Sequence, residues 1–200
     1  MKKAILYVHG QGGNAEEAKR YKTVCTGYEV FGLDYHSFTP WEAKAEFLAA
    51  YGKLRAEYAS VTVIANSIGA FFTMHALSGE AIERAFFISP IVDMEKLIAD
   101  RMQSLHISES ELEAKKEIET PFGDALSWQY LCYVRENPIE WNVPTAILYA
   151  GKDVLTSRET VSAFAKKCQA TLTVMEDGEH WFHTKEQLAF LDGWLKDLLG

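Results

Sequence analysis

The stretch Val61-Thr62-Val63-Ile64-Ala65-Asn66-Ser67-Ile68-Gly69-Ala70-Phe71-Phe72 changes its period in the middle. Val61 to Ile64 is dominated by β-branched residues, the composition of a strand buried on both faces. From Ile68 onward the apolar residues recur at helical spacing, at Ile68, Phe71 and Phe72, with His75 and Ala76 on much the same side. Between the two, Ala65-Asn66-Ser67-Ile68-Gly69 fits the tight strand-to-helix turn G-x-S-x-G, with alanine in the first glycine position. Small residues two before and two after the serine leave room for neighbouring backbone, and such a turn lifts a hydroxyl above the end of a sheet. A serine at a helix start also serves as a plain N-cap, so the turn by itself leaves both roles open.

Working outward, the chain alternates strand and helix. Ala4–Val8 (A-I-L-Y-V) is an apolar first strand running into the loop His9-Gly10-Gln11-Gly12-Gly13-Asn14. Helix is expected over Glu16–Thr23, strand over Glu29–Asp34, and a long helix from Pro40 to about Ala59, proline being favoured in a first turn. After the central turn come strand Ala85–Ile88, strand Thr145–Ala150 followed by Gly151-Lys152-Asp153, helix Arg158–Cys168 and strand Thr171–Met175. The loop Asp177-Gly178-Glu179-His180 then leads to a closing amphipathic helix over Lys185–Leu199. This order implies an α/β fold: a mainly parallel sheet of about six strands with helices on both faces.

The segment from about 93 to 140 breaks the alternation. It holds eleven acidic and five basic residues and reads as a helical insertion between the fourth and fifth strands. Ser108 and Ser110 each stand three before an acid, which signals a helix running to about Glu119; Pro121 and Gly123 end it, and Ser127–Arg135 reads as helix again.

Bulk composition narrows the field. Two hundred residues suit one domain, residues 1–200, with a proper core. A net charge of −8 disfavours nucleic acid, whose phosphates call for concentrated Lys and Arg. No apolar run approaches the ~20 residues that span a bilayer, and Met1-Lys2-Lys3 leads into too short an apolar segment for a signal peptide. A cytoplasmic protein is expected, without membrane or nucleic-acid partners. Cys25, Cys132 and Cys168 are odd in number and lack C-x-x-C spacing, so neither a disulfide framework nor a zinc site is implied.

Active sites of open parallel sheets gather at the carboxyl ends of the strands. The His9–Asn14 loop, Ser67, Asp153 and His180 all stand there in the expected layout. A serine hydroxyl is a weak nucleophile that needs a general base, and histidine accepts and returns a proton near neutrality. A carboxylate fixes the tautomer of that histidine and stabilises its imidazolium. The order Ser67, Asp153, His180 matches one class of catalytic triad.

Taken together, the motifs resemble those of the α/β-hydrolases over nearly the whole chain. H-G-Q-G-G after the first strand resembles the family's oxyanion loop, A-N-S-I-G its nucleophile elbow, G-K-D-V-L its acid loop and G-E-H-W its histidine loop. The resemblance implies Ser67 as nucleophile, Asp153 as orienting acid and His180 as base, with the backbone N–H groups of Gln11 and Ile68 as oxyanion donors. It implies a serine hydrolase acting on a carboxylic ester or related acyl bond of a small substrate, with no metal or organic cofactor. The six strands would correspond to the family's third to eighth, and the 93–140 insertion to a small cap that selects a modest acyl or aryl group.

Several residues compete with these assignments. His183 rivals His180 from the start of the last helix, and Asp93 rivals Asp153 from the end of the fourth strand. His9 reads as a brace for its loop, while His36, His75 and His106 read as structural or surface residues. Trp128, Tyr130, Tyr133 and Trp141 read either as a substrate wall or as packing. Two other functions also fit parts of the chain. A binding or interaction module would keep the fold without catalysis. A dinucleotide-binding oxidoreductase would use Gly10-Gln11-Gly12-Gly13-Asn14-Ala15 as G-x-G-x-x-A, with Asp34 as the ribose ligand, and would leave Ser67, Asp153 and His180 unexplained.

Overall fold

Strand β1 (Lys3–Val8) is buried at every position after its first, and it lies between two parallel neighbours, β2 (Glu29–Gly32) and β3 (Ser60–Asn66). A computed structural model describes residues 2–121 and 123–200, so Met1 of the N-terminal Met1-Lys2-Lys3 lies outside the description. Strands β4 (Ala85–Ile88), β7 (Thr145–Ala150) and β8 (Thr171–Met175) continue the sheet in the order β2-β1-β3-β4-β7-β8. Every pairing in it is parallel. The fully buried runs of β4 and β7 are what a sheet covered on both faces demands.

Alternate residues of the strands face opposite layers. Ile5, Tyr7, Ile64, Phe86, Leu148 and Ala150 share one cluster with Tyr21 and Val24 of helix α1 (Ala18–Val24) and with Leu191, Trp194 and Leu195 of helix α8 (Lys185–Leu199). Helices α2 (Pro40–Glu57) and α3 (Ile68–Leu77) pack on each other and on β3. There Tyr35, Phe47 and Phe72 meet edge to face. Helix α7 (Arg158–Lys167) packs on β7 and β8. The expected α/β architecture is the observed one.

The chain divides into two compact units, one comprising Met1–Val92 with Glu140–Gly200, the other Asp93–Ile139. The second holds α4 (Met94–Ser104), α5 (Glu109–Lys115) and α6 (Trp128–Glu136), and also an antiparallel hairpin of β5 (Glu117–Glu119) with β6 (Ala125–Ser127). Ser108 caps α5 as its sequence suggests, accepting from Glu111 N–H. The helix stops a turn earlier than expected because Lys116 turns the backbone to a φ of 65°. Glu117-Ile118-Glu119 then alternates like a strand, and Thr120 N–H bonds Asp124 O to close the hairpin. Arg135 joins three helices of this unit, donating to Glu95 on α4 and to both oxygens of Glu109 on α5. Trp141, one of the four grouped aromatics, lies in the first unit. It is buried against Phe87 and donates its Nε1–H to Thr145 Oγ1, so it is packing rather than a substrate wall.

Candidate active site

The strand order decides where a site can form. From β1 the chain moves outward to β2, then crosses back to β3 on the other side of β1. Loops therefore leave the carboxyl ends of β1 and β3 in opposite directions and open a crevice between them. The His9–Asn14 loop follows β1, and Ser67 follows β3.

Ser67 adopts φ 50° and ψ −122°, a conformation that L-residues rarely take. It stands at the N-cap position of α3 but makes no capping hydrogen bond with its side chain. The plain-cap reading is thus removed. The turn is held by backbone instead: Ser67 N–H donates to Ile88 O at 3.0 Å, and Ser67 O accepts from Ile91 N–H at 3.1 Å. The hydroxyl turns to the imidazole of His180, with Oγ 2.8 Å from Nε2.

His180 Nδ1 lies 2.7 Å from Asp153 Oδ2. The carboxylate requires a proton on Nδ1, which leaves the Nε2 lone pair to accept from the serine hydroxyl. Asp153 has a side chain without solvent exposure. Its other oxygen accepts from the N–H groups of Leu155 at 2.8 Å and Thr156 at 3.2 Å, which fixes the carboxylate. The two loops carrying these residues are tied together by Lys152 N–H donating to Gly178 O at 2.8 Å.

The glycine loop closes as a turn in which Gly13 N–H donates to Gly10 O at 3.1 Å, with Gln11 and Gly12 at its corners and Gly12 at φ 76°. The loop presses on the elbow so closely that a Cβ on Gly10 would lie 3.2 Å from Ser67 Cβ. Ile68 is the first residue of α3, so its N–H has no carbonyl one turn back to bond. His9 braces the loop as expected. Its Nδ1–H donates to Gly10 O at 2.8 Å, its ring stacks on Tyr35 at 4.3 Å, and its carbonyl accepts from the Tyr35 hydroxyl at 2.8 Å.

The rivals have other partners. His183 is exposed and stacked on Trp181, with Nδ1 bonded to Trp181 O. Asp93 is an N-cap, accepting from Lys96 N–H at 2.8 Å. Asp34 lies beyond the end of β2 and faces His36. The glycine loop leads into a single 3-10 turn, Ala15–Glu17, capped by Asn14 and carrying Glu16 and Glu17. Those two carboxylates would repel a pyrophosphate, which argues against the dinucleotide reading. His75 is packed against Phe71, and burial pushes its pKa down to about 4. Three further residues escaped the sequence reading: Tyr7, Glu17 and Asn66, linked by hydrogen bonds beneath Ser67. Their one legible sign was the capping box from Asn14 to Glu17.

This chain has the α/β-hydrolase fold. No protein-family model matches the sequence, and no curated protein matches it either. Solved structures do. Est1E from Butyrivibrio proteoclasticus superposes with a TM-score of 0.79 at 16% identity, over 99% of this chain and 87% of its own; another structure of it has ferulic acid bound. Alpha/beta hydrolase domain-containing protein 10 from mouse gives 0.74 at 16% identity, over 98% and 89%. A lipase-esterase related protein from Clostridium acetobutylicum gives 0.67 at 16% identity, over 98% and 93%.

Proposed function

We propose that the protein is a serine hydrolase that cleaves a carboxylic ester or related acyl bond through an acyl-enzyme. The observation that carries this reading is the unbroken line from Ser67 Oγ through His180 to Asp153, at 2.8 Å and 2.7 Å, with the serine held in a strained turn. In this reading Ser67 Oγ bonds to the substrate carbonyl carbon while His180 Nε2 takes the hydroxyl proton. The carbonyl π pair moves to oxygen, where the N–H groups of Gln11 and Ile68 receive it. Each such donor contributes about 3–4 kcal/mol to the transition state. His180 then gives its proton to the leaving alkoxide as the C–O bond breaks. Water repeats the sequence on the acyl-enzyme, releasing the acid and restoring the serine. Asp153, held by three hydrogen bonds, keeps His180 in the productive tautomer throughout.

Two apolar side chains flank the acid and histidine loops, Val154 at 91% exposure and Trp181 at 76%. Next to Asp153 and His180 in the chain, they support an apolar acyl or aryl group as the substrate class, and ferulic acid, bound in a structure of Est1E, carries an aryl acyl group.

The test is intact mass after exposure to a fluorophosphonate, with Ser67→Ala alongside. One adduct on the wild type and none on folded Ser67→Ala is expected. No adduct on folded wild-type protein would leave the non-catalytic binding module as the better reading.

A further inference from the structure

Beneath the elbow, three polar side chains from three elements form one chain of hydrogen bonds inside the first unit. Glu17, at the end of the 3-10 turn, accepts twice: Oε1 from Asn14 N–H at 3.2 Å, and Oε2 from the Tyr7 hydroxyl of β1. The phenol oxygen accepts in turn from Asn66 Nδ2–H at 2.9 Å, and Asn66 immediately precedes Ser67. The direction of the chain is fixed from one end. A carboxylate only accepts, so the phenol proton is committed to Glu17, and Asn66 can offer the phenol only its amide N–H. Asn66 Oδ1 is consequently buried with no partner among the described residues. Leaving an acceptor in that state costs roughly 1–3 kcal/mol. The sequence tolerates this beside the nucleophile while Tyr7 is wholly buried.

The two ends of the chain are the two halves of the proposed oxyanion site. Glu17 holds the loop that carries Gln11, since it bonds Asn14 and packs so flat on Gly13 that a Cβ there would lie 2.6 Å from Oε1. Asn66 belongs to the turn that delivers Ile68. We propose that Glu17, Tyr7 and Asn66 are positioning residues forming a clamp that keeps the Gln11 and Ile68 N–H groups aimed at one point. The clamp rests on the acyl-transfer reading for its catalytic consequence, though not for its existence. None of the three touches the reacting atoms.

The test uses Tyr7→Phe, Glu17→Gln and the double variant in the full chain. Val24→Ala, in the same apolar cluster but outside the hydrogen-bond chain, controls for lost packing. Two readouts are taken. In amide 1H–15N spectra, Tyr7→Phe should move both the Gly12–Asn14 and the Ser67–Gly69 resonances, and Val24→Ala should move neither set. With p-nitrophenyl acetate, each single variant should lose about 10- to 100-fold in kcat with KM within about twofold, the signature of misaligned transition-state donors. The double variant should be no slower than the slower single, because the members act as one unit. Loop amides that stay still in Tyr7→Phe, or losses that simply add, overturn the clamp. If Glu17→Gln does not fold, Tyr7→Phe alone decides through the same two readouts. Wild-type protein that neither labels nor turns over removes the hydrolase reading, while the amide shifts still decide the clamp.

Discussion

Glycine and alanine at position 67 should reverse their usual order of stability. Ser67 sits at φ 50° and ψ −122° with no capping bond to repay the conformation. A non-glycine residue in such a region carries about 1–3 kcal/mol of strain. Ser67→Ala keeps that strain and loses the hydrogen bond to His180. Ser67→Gly loses the same bond but releases the strain, offset by about 0.5–1 kcal/mol for the greater freedom of an unfolded glycine. The bond to His180 cancels between the two variants. The glycine variant should therefore be the more stable by about 1 kcal/mol, or roughly 2–4 °C in Tm for a chain of this size. Urea denaturation followed by circular dichroism, with both variants at one pH, measures the difference. An alanine variant at least as stable as the glycine variant would refute strain at the elbow.

Asp153→Asn should lower kcat by about 10⁴ in a folded protein. An amide at that position favours the tautomer with its proton on Nε2, and that nitrogen can no longer accept from Ser67; a fluorophosphonate labelling rate within tenfold of wild type would refute the role. His75 should make stability fall on acidification. Its folded pKa of about 4 lies below the 6.5 of the exposed residue, so between these values the unfolded chain binds more protons and unfolding is favoured as pH drops. Allowing for solvent at its exposed edge, and for Lys44 as the nearby charge, the loss should be about 1–2 kcal/mol between pH 6.5 and pH 4. His75→Leu should flatten that part of the urea-midpoint profile, and an unchanged profile would assign the acid sensitivity elsewhere.

Legibility followed the range of the interactions. The sheet was readable because each strand is a short apolar run bounded by Gly, Pro or polar residues, and the Lys185–Leu199 helix was readable from its stripe alone. Ser67, Asp153 and His180 were readable because each sits at a strand end, where sequence position fixes spatial position, and 2.7–2.8 Å contacts join residues 27 and 113 positions apart. The β5–β6 hairpin was hidden because three-residue strands carry almost no period, and a single lysine at positive φ ended α5. The Tyr7–Glu17–Asn66 chain was hidden for a different reason. Tyr7 lies inside an apolar strand and reads as core, which it also is, and nothing local reveals that its hydroxyl meets residues 10 and 59 positions away.

Ala65 is the point at which the sequence departs from G-x-S-x-G, and the structure separates the tasks of the two small residues. Ala65 belongs to β3, paired with Val8 on one side and Phe87 on the other, and is fully buried. A strand interior accommodates a methyl group there without disturbing the ladder. Gly69 is different: a Cβ on it would run into the carbonyl oxygen of His9 and lie 2.9 Å from Val8 Cγ1 and 3.1 Å from Val8 O. The nearest obstruction, the His9 carbonyl, is backbone of the loop that carries Gln11, so it cannot swing aside as a side chain would. Ala65→Gly should then cost only about 0.5–1 kcal/mol, the entropy of a glycine in a strand, and leave labelling of Ser67 intact. Gly69→Ala should force α3 away from the glycine loop, separating Ile68 from Gln11. We expect it to lower stability by about 1–3 kcal/mol, as overpacking of a tight site does, and to slow fluorophosphonate labelling about 100-fold. Labelling at the wild-type rate in Gly69→Ala would mean that the proposed oxyanion site does not depend on close contact between loop and elbow.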